Sequence, residues 1–124
     1  MVIEVSPGDA IDRLTILELK LERIVEPEKR EFALREHKMI SAALAGAGLP
    51  AIEGLQESLK LVNAALWDVE DCLRDHERRQ DFGATFVAAA RSVYRHNDRR
   101  AALKQEINAK TGSQLNDVKS YAAY

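Results

Sequence analysis

One cysteine in 124 residues excludes an internal disulfide, and Cys72 on its own fits a reducing compartment. Aromatic residues reach only 6%, which argues against a strand-built fold, whereas a 46% hydrophobic and 31% charged composition suits helices. No apolar run approaches the ~18 residues of a membrane span, so no membrane partner is expected. The opening "MVIEVSPGD" meets Glu4 and Asp9 before any long apolar stretch, and no export signal is read there. A formal charge of −2 gives no general attraction to nucleic acid. The length suits one helical domain over 1–124, with an N-terminal arm at 1–6 and a tail at 113–124.

The punctuation that is present divides the chain into four helices. Ser6 followed by Pro7, with Asp9 three residues on, is an N-cap with proline in the first turn. The first helix is therefore expected from about Pro7 to Val25, where Pro27 ends it and opens a second that stops before Gly46 and Gly48. A third helix is expected from Pro50, because Ile52, Leu55, Leu59, Val62, Leu66, Val69, Leu73 and His76 recur in steps of three and four. "RQDFG" interrupts that seam, and a fourth helix is expected from about Ala84 to Lys110, closed by Gly112. The tail "SQLNDVKSYAAY" has no clear period.

Short loops make consecutive helices antiparallel neighbours, so the fold class is all-α: an up-down-up-down bundle with two shorter and two longer helices. At 1.5 Å per residue the first two span about 27 Å and the last two about 42 Å, so the second hairpin should overhang. Leu73, Phe82, Phe86 and Ala90 lie in the overhang, and this apolar set is read as a homodimer interface.

"SVYRHNDRRAALK" places six consecutive polar residues, Arg95 to Arg100, inside the fourth helix. Both possible seams of that helix pass through Arg100. Counting heights through the loops brings Glu18 within about a turn of Arg100, with Asn63 and Trp67 near the same level. Glu18, Asn63, Trp67, Arg95, Asn97, Arg99 and Arg100 then form a polar layer. It either satisfies itself and fixes register, or receives a small anion through the planar arginine forks.

Other chemistries find less support. None of His37, His76 and His96 has a glutamate three residues before it, so the helical di-metal pattern is missing and no metal or cofactor is expected. Asp68, Asp71 and Asp75 share a helix face that is read as solvated. "AIDRLTILELKLERI" is loosely similar to the first helix of all-helical chorismate mutases, which would make Arg13, Arg23 and Lys29 dicarboxylate binders, but the four-helix layout departs from that pattern. Asp98 interrupts "YRHNDRR", and no nucleic-acid partner is expected.

At "SPGDAIDRLTILELK", "VNAALWDVEDCLR", "ARSVYRHNDRRAALKQEIN" and the tail "GSQLNDVKSY", the chain resembles a family of small bacterial proteins known as a domain of unknown function. The resemblance covers most of the chain and implies a bacterial, cytoplasmic setting, but carries no activity with it. The expected role is a non-enzymatic binding or assembly module. The alternative is an enzyme acting on a small anionic metabolite such as a phosphorylated sugar, a nucleotide or a dicarboxylate.

Overall fold

Ser6 starts the first helix as the sequence suggests: its Oγ accepts from the Asp9 N–H at 3.1 Å, and Pro7 occupies the first turn. In the computed structural model, which describes residues 1–124, helix α1 (Pro7–Arg23) is followed by α2 (Pro27–Gly46), α3 (Leu55–Arg79) and α4 (Ala84–Thr111). There is no strand. Helix α3 begins five residues later than the seam suggests, because Glu53 and Gly54 turn through positive φ of 45° and 76° and break the helical path. Gly112 ends α4 in the left-handed conformation expected of a C-terminal glycine.

The chain is an all-α bundle in which α1 is the central element. It packs against α2, α3 and α4; α3 and α4 pack on each other, and α2 touches no helix axis but that of α1. The apolar core forms where α1, α3 and α4 meet, from Ile11, Leu55, Leu59, Leu103 and Ile107, with Leu44 of α2 against its edge. Burying each of the large side chains contributes about 1.5–3 kcal/mol. Of the two phases open to α4, one through Leu103 and one through Lys104, Leu103 is buried in the core, while Lys104 stands half-buried beside it.

A close backbone approach fixes the lower end of this unit. The Gly8 N–H donates to Asn108 Oδ1 at 2.7 Å, and a Cβ at Gly8 would lie 2.5 Å from the Lys104 carbonyl oxygen. Only glycine lets α1 start this near to α4. The upper end is different. Arg23 reaches from the last turn of α1 to Asp68, at 2.6 Å, and lies over the Trp67 ring. From Asp68, α3 runs on to Arg79, about three further turns, and returns as the start of α4. This hairpin tip is the overhang anticipated from the helix lengths.

Candidate functional site

Helix α1 buries two faces because it has neighbours on several sides. One carries Ile11 and Leu14; the other carries Gly8, Asp12, Thr15 and Leu19 in steps of four, three and four. That second face sets a carboxylate against α3 and α4. Asp12 Oδ1 accepts from Arg100 Nε at 2.9 Å and from Asn63 Nδ2 at 2.9 Å, and Oδ2 accepts from Arg100 Nη2 at 2.5 Å. The Asn63 amide also donates to Thr15 Oγ1 at 2.9 Å, and that hydroxyl donates to the Asp12 carbonyl at 2.7 Å. Four side chains from three helices thus close one network.

Burial alone would favour the neutral acid at Asp12. The hydrogen bonds from Arg100 and Asn63, and the positive charges of Arg100 and Lys104, outweigh it and hold the carboxyl below the usual carboxylate range. The Asp12 hydrogen bonds raise the Arg100 guanidinium in turn, against an opposing effect of burial. The layer is an ion pair with both members charged at neutral pH, and every fully buried side-chain nitrogen and oxygen in the protein has a partner.

The residues singled out in the sequence divide around this network. Arg100 and Asn63 enter it. Glu18 does not: it accepts from Lys60 at 3.1 Å and Gln56 at 3.4 Å at the flank of α3, because it lies off the inward face that carries Asp12. The partner assigned to Arg100 is thereby corrected from Glu18 to Asp12. Trp67 and Asn97 are half-buried beside the layer, and Arg95 and Arg99 are exposed on the outer side of α4, Arg95 near the Tyr94 ring. At the hairpin tip Leu73, Phe86 and Ala90 are half-buried and Phe82 is exposed. Phe86 sits edge-on to both the buried His76 and Phe82. Arg13 pairs with Glu36 and Arg23 with Asp68, so the arginines of the chorismate mutase comparison are engaged separately. No group of three or more His, Cys, Asp or Glu side chains is placed to hold a metal ion.

Above the network a cleft of about 430 Å³ opens between α1, α3 and α4. Ile16, Leu66, Val93 and Trp67 line it together with Asn63, Asn97 and Arg100, and the exposed Glu70 and Asp71 mark its mouth. A second hollow lies beyond Val93 and Asn97, under the tail. The tail has no regular structure; Lys104 and Asp117 pair at 3.6 Å, and Tyr124 meets Tyr94 edge-on.

Asp12 and Thr15 are the functional-site residues missed in the sequence. Their signal was the face they share with Gly8 and Leu19, legible only once α1 is known to be covered on more than one side.

The chain belongs to a family of unknown function (DUF6165), whose model matches residues 1–124. No curated protein and no solved structure matches it.

Proposed function

We propose that the protein is a non-enzymatic assembly module that forms a homodimer through the tip of the α3–α4 hairpin. The observation that carries this reading is the tip itself: beyond the Arg23–Asp68 contact no third helix covers α3 and α4. Their facing seam, with Leu73, Phe86 and Ala90, remains half-buried, and Phe82 and Val87 stand 48% and 49% exposed. Two such tips brought together antiparallel complete a local four-helix arrangement, which a twofold axis generates from one sequence.

The charges around the tip suit self-association. Arg74 pairs with Glu70, and Arg78 and Arg79 pair with Asp75, so acids and bases alternate around the apolar centre and a second copy meets no field of one sign. A partner with strong net charge would find less to bind. No helix is long and apolar enough to cross a membrane. A bacterial cytoplasm as the setting belongs to the same proposal, resting on the lone Cys72 and the wording of the sequence.

The anionic-metabolite alternative loses its principal cation, because the Arg100 fork is occupied by Asp12. Light scattering separates the readings. A dimer at micromolar concentration, reduced to monomer by Phe82→Asp with Val87→Asp, supports assembly. A strict monomer whose melting temperature rises with phosphates or dicarboxylates would replace it with the metabolite reading.

A further inference from the structure

The cleft above the Asp12–Arg100 network has more polar capacity than the fold uses. Asn63 is only 6% exposed, and both hydrogen bonds it makes in the network come from its amide nitrogen. Its Oδ1 accepts from no protein donor. Because every fully buried side-chain nitrogen or oxygen has a partner, that oxygen is open to the cleft it lines. Arg100, which lines the same cleft, spends Nε and Nη2 on Asp12 and leaves Nη1 uncommitted. An unpaired acceptor and an unpaired donor therefore belong to side chains that line one and the same cleft, together with the Asn97 amide, which makes no side-chain hydrogen bond.

The balance of charge decides what such a floor can take. Arg100 is neutralised by Asp12, and Arg23 near the mouth by Asp68. Asp71 at the mouth has no ion-pair partner, so the unbalanced charge facing the cleft is negative and an anion is disfavoured. A cleft offering both a free donor and a free acceptor suits a molecule that accepts and donates in return, such as a carboxamide or a nucleobase, whose flat body suits Leu66, Val93 and the Trp67 ring. A volume of about 430 Å³ lies in the range of small-molecule sites.

We propose that this cleft binds an uncharged or cationic small molecule bearing a planar amide-type group that both donates and accepts hydrogen bonds, with Asn63 Oδ1 as the acceptor and Arg100 Nη1 as the donor. The site is independent of the dimer. Its recognition groups belong to the three-helix unit, and its occupancy is read apart from the oligomeric state.

The test uses the full chain labelled with ¹⁵N. Trp67 is the only tryptophan, so its indole N–H resonance reports the cleft without ambiguity. Benzamide and adenosine serve as probes, with benzoate and adenosine monophosphate as their anionic counterparts. Saturable shifts of the Trp67 indole and of the Asn63 side-chain amide are expected with the neutral probes. The anionic counterparts should bind roughly tenfold or more weakly. Leu66→Phe narrows one wall without touching the polar network and should weaken benzamide by a similar factor while the chain stays folded. Asp71→Lys should bring benzoate level with benzamide. Absence of saturation by either neutral probe, equal binding of the anions to the native chain, or unchanged affinity in Leu66→Phe overturns the proposal.

Discussion

Asp12 and Arg100, 88 residues apart in sequence, meet through two parallel hydrogen bonds that tie the first helix to the last. The carboxylate is buried, while the arginine keeps 30% of its side chain in solvent. Removing the acid strands a partly buried cation together with the Asn63 amide. Asp12→Ala should therefore cost about 3 kcal/mol, at the low end for breaking a buried pair because Arg100 can still reach water. Asp12→Leu with Arg100→Leu should recover much of that loss, as urea unfolding of the two single variants and the double variant will show. Glu18→Ala, which removes one of the two carboxylate partners of Lys60 and leaves Glu22 in place, should cost no more than about 1 kcal/mol in the same assay.

The same pair sets a dependence on acid. The Asp12 carboxyl titrates below its unfolded value, so its contribution is complete above about pH 4 and is lost as pH falls through the lower, folded value. Asp12→Asn should lack this component. Its stability, lower at neutral pH, should fall less steeply than that of the native chain below about pH 4, and equal slopes would remove Asp12 from the acid response.

At the foot of α1 the constraint is steric. Gly8→Ala places a methyl against backbone, the Lys104 carbonyl, which cannot swing aside as a side chain would. A loss of about 1–3 kcal/mol is expected, measurable as a lower midpoint in denaturant. Asn108→Ala should cost a comparable amount by leaving the Gly8 N–H without its acceptor.

Much of the architecture is legible in the sequence because its punctuation is local. Ser6-Pro7, Pro27 and Gly112 mark helix ends through dihedral limits and caps that need no tertiary context. The late start of α3 was hidden because nothing in "PAIEG" outweighs the seam that Ile52 begins, and the turn appears only in the positive φ of Glu53 and Gly54. The polar layer was half visible. Arg100 lies on either seam of α4, so its inward position follows from periodicity, and Asn63 follows from height. Asp12 does not, since an aspartate between Ile11 and Arg13 reads as surface unless α1 is known to be covered by three helices. Glu18 reads as the better partner because it falls in the phase Ile11, Leu14, Glu18, Leu21 and Val25, the stripe expected of a first helix that buries one side only.

Assembly through the hairpin tip makes a claim about individual side chains. Phe82 and Val87 keep about half of their surface exposed in the protomer, so covering it contributes about 0.7–1.5 kcal/mol for each, and replacing both with aspartate, which sets two charges in the seam, should abolish the dimer and leave the melting of the three-helix unit nearly unchanged. A fall in helix content alongside dissociation would place these residues in the protomer's own fold instead.

The most direct measurement is an isotope-filtered nuclear Overhauser experiment on a mixture of labelled and unlabelled chains, which records only contacts between copies. The expected result is a set of cross-peaks from the Leu73 and Val87 methyls of one copy to the Phe82 and Phe86 rings of the other. A spectrum in which intermolecular contacts come only from the exposed Phe32 and Met39 of α2, or in which none appears at millimolar concentration, would contradict assembly through the tip.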